Sequence, residues 1–181
     1  MRIENATKQN HKSGGEVLDS REYERIVKEN IDTIYRIALS YTKSTQDADD
    51  VVQQTFMKLL TKQVSFKDEE HIKKWLIRVC VNECNSLFST FWRRNVGSTD
   101  EMSEEASYEV QFADGKNEEL FEAIKELPAK SRIVIYLFYY EDYSSKEIAE
   151  ILHIKEPTVR TRLVAARKML RAKLKEAWED E

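Results

Sequence analysis

Residues 144–175, "SSKEIAEILHIKEPTVRTRLVAARKMLRAKLK", decide how this chain is read. The stretch opens on a capping signal: Ser144 stands three residues before Glu147, with Ser145 beside it, so a hydroxyl and a carboxylate can exchange hydrogen bonds with first-turn amides. A short amphipathic helix follows through "SSKEIAEILHI". After the break "KE", Pro157 falls in the first turn of a second helix, where its missing N–H would be unpaired in any case. Stepping ~100° per residue, Val159, Leu163, Ala166, Leu170 and Leu174 share one narrow arc that should pack on Ile148, Leu152 and the apolar segment 132–140. The opposite arc holds Thr161, Val164, Ala165 and Lys168, flanked by Arg160, Arg171 and Lys175, with Arg162 and Arg167 at its shoulders. Two helices joined by a tight turn, the second of them basic, describe a helix-turn-helix.

The charge of that second helix sets it apart. Residues 157–175 carry seven Lys and Arg and no acid, in a chain whose net charge is −4. A solvated surface face is the plainer reading of a charge run, but such helices mix signs to gain i, i+4 pairs. A helix with one sign of charge suits DNA. Its first turns enter the major groove while peripheral Lys and Arg displace counterions from phosphates.

Working outward, the composition favours an all-α protein: 41% hydrophobic, 34% charged, with only four Gly and two Pro in 181 residues. No apolar run approaches the ~18 residues of a membrane span, so direct membrane insertion is not expected. The opening "MRIENATKQNHKSGGEVLDS" lacks the apolar segment of a signal peptide and reads as a disordered leader over residues 1–20 of a cytoplasmic protein. Cys80 and Cys84 lie four apart on one helix, with His11, His71 and His153 scattered elsewhere. Buried or half-buried thiols are expected there, and neither a metal site nor a cofactor.

Residues 21–94 read as three helices. The first, from about Arg21 to Tyr41, spaces Tyr23, Ile26, Val27, Ile31, Ile34, Tyr35, Ala38 and Leu39 as one core face. The second begins near "STQDADD", whose oxygens and negative charge suit a helix N-terminus, and runs to about Thr61. Its core arc is Ala48, Val52, Thr55, Phe56 and Leu59, leaving Asp49, Asp50, Gln53, Gln54 and Met57 on another face. The acids of Asp47–Asp50 also admit a metal-dependent hydrolase, but no nearby His ligands or nucleophile support one. The third helix follows "SFKDEE", with Trp75, Leu76, Val79, Cys80 and Leu87 as core candidates. Residues 95–116, with six acids, one base and two glycines, have the composition of a linker. Fully stretched it would reach ~75 Å at ~3.4 Å per residue, so the flanking blocks need not touch. Residues 117–178 then form a four-helix block. In it "EELFEAIKEL" stops before Pro128, and "KSRIVIYLFYYE", apolar on nearly every face, is the buried helix, although its β-branched content also fits a strand.

Three segments of the chain resemble one family. "ELPAKSRIVIYLFYYEDYSSKEIAEILHIKEPTVRTRLVAARKMLRAKL" is similar to the promoter −35-binding domain of group IV (extracytoplasmic-function, ECF) sigma factors of the sigma-70 family, with its L-P start, E-I-A-x-x-L helix and T-V-K/R-S/T-R-L recognition helix. "IYRIALSYTKSTQDADDVVQQTFMKLL" resembles the family's D-A-E-D-x-x-Q-x-x-F polymerase-binding helix, and "WLIRVCVNECN" its W-L-x-x-I-A-x-N promoter −10 helix. The resemblance implies two small helical domains joined by a flexible acidic linker: a region 2-like domain over 21–94 and a region 4-like domain over 117–178.

It implies that Asp49, Asp50, Gln53, Gln54 and Met57 dock on the clamp helices of the largest subunit of core RNA polymerase. Asn82, with Arg78, Lys74, Phe66 and Lys67, would hold an unstacked −10 base and its strand, and Lys73, Arg93 and Arg94 add to that basic edge. Arg160, Thr161, Arg162, Val164, Ala165, Arg167, Lys168 and Arg171 would meet duplex −35 DNA. It further implies an anti-sigma partner that holds the two domains against each other, a linker near the RNA path, no cofactor, and no enzymatic activity of the chain's own. The chain departs from the pattern at Ala165, where many relatives have Arg, at His153, where Gly is common in the turn, and at Pro157, where Gly often precedes the Thr. The alternative is a stand-alone helix-turn-helix regulator with a helical sensor domain.

Overall fold

A computed structural model describes residues 18–61, 65–94 and 118–179. Among them lie seven helices and no strand: α1 Ser20–Thr42, α2 Thr45–Thr61, α3 Glu69–Arg94, α4 Glu118–Lys125, α5 Ala129–Tyr139, α6 Ser145–Leu152 and α7 Glu156–Glu179. The expected leader lies outside the described residues as far as 17, and the expected linker over 95–116 lies wholly outside them.

Local chemistry sets the helix ends. Asp19 accepts from the Glu22 N–H at 2.8 Å to start α1. Lys43 ends it in the left-handed region, φ 54°, with its N–H on the Leu39 carbonyl. Ser44 Oγ accepts from the Asp47 N–H at 3.2 Å to start α2, and Asp68 accepts from the His71 N–H at 2.7 Å to start α3. The capping box of α6 is complete: Ser144 Oγ accepts from the Glu147 N–H, and the Glu147 carboxylate accepts from the Ser144 N–H at 3.0 Å. His153 closes α6 at φ 51°, a backbone state in which Gly would be free of the Cβ penalty. Segment 129–139 is helical, which settles the strand alternative.

Helices α1, α2 and α3 pack on one another. Ile26, Ile34, Ile37 and Ala38 of α1 meet Ala48, Val51, Phe56 and Leu59 of α2 and Trp75, Leu76, Cys80 and Cys84 of α3 in the buried core. Two positions differ from the periodic reading. Ile31 is 39% exposed while Asn30 and Ile37 are buried, and Val51 rather than Val52 is the more deeply buried valine of α2. Each helix here touches at least two others, so its buried face is broader than a single arc. Asn30 is tolerated because its Nδ2 donates to the Ile26 carbonyl at 2.8 Å.

In the C-terminal four helices α5 is the central element, touching α7, α6 and α1, and Ile133–Leu137 are buried without interruption. Val159, Leu163 and Ala166 seat α7 on that core, with Leu170 partly buried against it. The two sets of helices also meet, α1 on α5 and α3 on α6. In this structure the halves touch.

Candidate polymerase and promoter surfaces

The outward face of α7 is the one the angular reading describes. Arg160, Thr161, Val164, Ala165, Arg167, Lys168 and Arg171 are exposed, and Arg162 is half-buried at the shoulder. Val164, at 64% exposed, is an apolar side chain placed amid cations, suited to touching a thymine methyl or another apolar edge. The cations do not all hang free. Arg160 forms an i, i+4 pair with Glu156 at 2.6 Å. Arg167 Nε donates to the Tyr139 hydroxyl at 2.9 Å, and its guanidinium lies 5.4 Å and 5.6 Å from the ring centroids of Phe138 and Tyr139. Sequence reasoning missed Tyr139, which it took only as part of a buried apolar helix; it is 52% exposed.

On α2, burial of Ala48, Val51, Thr55, Phe56 and Leu59 turns Asp49, Asp50, Gln53, Gln54 and Met57 outward together, all of them exposed. Met57 is 47% exposed, and Leu60, one turn on and also missed, is 51% exposed. Carboxylates and amides on this face lie beside an uncovered apolar ridge. The i, i+3 spacing of Met57 and Leu60 was the available signal.

The five candidates for −10 contacts divide. Asn82 is exposed on α3 and Lys67 is exposed before it. Phe66 packs edge-on against His71 and Trp75, each at 5.6 Å, so it braces the loop on a buried tryptophan. Lys74 and Arg78 face the C-terminal helices instead. Lys74 Nζ reaches Glu147 at 2.9 Å and Glu70 at 3.5 Å and lies 5.2 Å from the Tyr143 ring centroid. Arg78 Nη1 donates to His153 Nε2 at 2.6 Å. Lys73 joins them through Glu141 at 2.6 Å. Lys74 together with the Ser144 hydroxyl and N–H holds the Glu147 carboxyl down at about 2, and the same pair pushes Lys74 up. Burial, with Glu70, Glu141 and Glu147 nearby, pushes the Tyr143 phenol up. The side chains of Arg93 and Arg94 lie outside the described ones.

Cys80 and Cys84 are free, buried thiols, as their spacing on a core face suggested. A hydrogen bond with Cys84 and burial push Cys80 well above the usual thiol range, so it is a poor nucleophile. Among the described residues no group of three or more His, Cys, Asp or Glu is placed to hold a metal ion, and no helix is long and apolar enough to cross a membrane.

Residues 26–94 match the family described as Sigma-70 region 2, and residues 117–170 match Sigma-70, region 4. The chain is 32% identical over 140 residues to the RNA polymerase sigma factor SigV of Bacillus subtilis, covering 77% of this chain and 83% of that protein. It is 29% identical over 168 residues to the ECF RNA polymerase sigma factor SigL of Mycobacterium tuberculosis, covering 91% and 95%. Among solved structures it is similar to the sigma factor RpoE of Bartonella quintana, crystallised with the anti-sigma factor NepR, at a TM-score of 0.71 and 25% identity over 86% of this chain and 98% of that one. CnrH, solved with the cytosolic domain of CnrY, shares the fold at a TM-score of 0.60 and 24% identity, over 87% and 90%. With both regions matched in order and the helical fold shared, the chain belongs to the extracytoplasmic-function, group IV branch of the sigma-70 family, whose members are transcription initiation factors.

Proposed function

We propose that this ECF sigma factor binds core RNA polymerase through the α2 face and directs it to promoters through α3 and α7. One observation carries the reading: a single chain presents two outward faces of opposed chemistry, carboxylate, amide and thioether on α2 and cationic on α7. Asp49, Asp50, Gln53, Gln54 and Met57 dock on the clamp helices of the polymerase's largest subunit. Arg160, Thr161, Arg162, Val164, Ala165, Arg167, Lys168 and Arg171 read the −35 duplex, where phosphate contacts fix register and base edges give choice. Asn82, Phe66, Lys67, Lys74 and Arg78 serve the −10 strand, where extruding a base costs a few kcal/mol and a preformed pocket selects the sequence that melts.

Residues 21–94 and 117–178 act as separate domains around the linker 95–116. Nucleotide chemistry belongs to the polymerase, so the chain catalyses no step, and it works in the cytoplasm. The Bartonella relative was solved with an anti-sigma factor, and a partner of that class is expected here.

Run-off transcription with core polymerase over a library of genomic fragments tests this. Discrete start sites should appear only when the chain is added. Promoter binding by the chain alone as tight as with polymerase would instead support a stand-alone regulator.

A further inference from the structure

Arg167 differs from the other cations of α7 in how it is held. Its Nε donates to the Tyr139 hydroxyl at 2.9 Å, and its guanidinium lies 5.4 Å from the Phe138 ring centroid and 5.6 Å from that of Tyr139. The two rings meet edge to face at 5.1 Å, and Phe138 packs against the buried core, so the brace is anchored in α5. Arg160, two turns nearer the start of α7, is held by a different chemistry. Its Nε and Nη2 both donate to Glu156 Oε1, at 3.1 Å and 2.6 Å, where Ser145 Oγ also donates at 3.1 Å. A carboxylate offsets the charge of the arginine it holds; a phenol does not. Arg167 is therefore fixed in direction while keeping its whole positive charge, and its Nη N–H groups are left for a ligand.

Tyr139 is left half used. A phenol offers one proton and accepts on its lone pairs. Arg167 takes a lone pair, and among the described residues no acceptor takes the proton. Because Tyr139 is exposed, an O–H and a guanidinium sit side by side at the surface, donors suited to an anion with several oxygens. Position selects the anion. Arg167 lies eleven residues past Glu156, the first residue of α7, which is ~16 Å along the axis at ~1.5 Å per residue. With the first turns in a major groove about 12 Å wide, that point has reached the groove wall, where the phosphates run. We propose that Tyr139 and Arg167 form a clamp for one backbone phosphate of the −35 duplex, the phenol O–H and the guanidinium N–H groups donating to its oxygens. The clamp rests on the assignment of α7 to duplex DNA and adds to it a residue from outside the helix-turn-helix. Tyr139 acts twice: it meets the phosphate itself, and it spares Arg167 the ordering cost that a free side chain meets on binding. A phosphate contact fixes register and carries no sequence information, so the clamp strengthens binding without altering base choice.

The test uses holoenzyme formed from the full chain and core polymerase, with duplexes carrying the −35 segment of a promoter found by run-off transcription. Tyr139→Phe keeps both rings and removes one exposed oxygen. It should weaken binding about threefold to tenfold, by the same factor for the preferred segment and for its single-base variants. Arg167→Lys keeps the charge but loses the Nε bond and the planar fork, and should cost a similar factor. The double variant should bind little worse than either single one, because the two side chains act as a unit. Replacing the phosphates one at a time by neutral methylphosphonates should reveal a position that weakens wild type about tenfold and Tyr139→Phe clearly less. Wild-type affinity in Tyr139→Phe, additive losses in the double variant, or no phosphate whose neutralisation distinguishes the two proteins overturns the clamp. An altered base preference in Tyr139→Phe overturns it too, since the tyrosine would then serve base readout. Lys168→Ala/Arg171→Ala reports separately on the assignment of α7: wild-type duplex binding in that variant would sink the assignment, whatever Tyr139 does.

Discussion

Helices α3 and α7 carry the same kind of residue to opposite ends. Both set Lys and Arg beside a face buried in a core, yet the α3 cations close on carboxylates and an imidazole of the other half, whereas α7 keeps Lys168 and Arg171 exposed. Arg160, Arg167 and Lys173 of α7 meet Glu156, Tyr139 and Glu126, residues of their own half. A basic run therefore states what chemistry its partner must have, but not whether the face is open. Openness depends on which distant side chains the fold brings to it.

The largest effect should come from removing what seats α7. Leu163→Ala leaves a cavity beneath the recognition helix and should cost about 2–5 kcal/mol. Chemical denaturation should show the loss in α4–α7 while probes in α1–α3 change less, because Leu163 is buried on α7, which packs on α4, α5 and α6.

Next comes the difference between the two basic faces. Lys168→Ala/Arg171→Ala should lower the slope of log affinity against log salt by about 2 and weaken duplex binding by the holoenzyme about tenfold or more, with no change in stability. The matching pair Lys74→Ala/Arg78→Ala should alter DNA binding by the free chain far less than by the holoenzyme, because in the free chain those cations are already engaged. Equal effects in the two states would erase the contrast.

A smaller effect is expected at Tyr139→Phe, which keeps the ring under Arg167 and removes the hydroxyl that accepts from it. Holoenzyme affinity for −35 duplexes should fall by about 0.5–1.5 kcal/mol.

The smallest effect is in acid. The Glu147 carboxyl is held below its ordinary 4.5, at about 2, so its stabilising contribution is complete above pH about 4.5 and is lost as pH falls through about 2. The difference in melting temperature between wild type and Glu147→Gln should be constant near neutrality and close across that window.

Much of the fold was legible because helices announce themselves locally. Asp19, Ser44, Asp68 and Ser144 all cap the helices that follow them, and the inward arc of α7 follows from a rotation of ~100° per residue. The outward residues of α2 and α7 were legible for the same reason, since an exposed face is what a core arc leaves over. What periodicity cannot supply is pairing between elements. Glu147 reads in sequence as a capping residue, and it is one; its second oxygen serves a lysine 73 positions away, and nothing near either residue announces that. Asn30 and Arg132 are buried against the trend for polar groups. Asn30 is held by a backbone carbonyl one turn back, and Arg132 by the Lys125 carbonyl, partners invisible to a hydropathy pattern.

The division of labour between α2 and α7 is tested most directly by measuring affinity for core RNA polymerase with Asp50→Ala/Gln53→Ala and Arg167→Ala/Lys168→Ala side by side. The account predicts that the α2 variant loses core binding by about a hundredfold, a few kcal/mol at a buried interface centre, while the α7 variant binds core like wild type and loses only −35 preference. Wild-type core affinity in the α2 variant, or an equal loss in both, would contradict it.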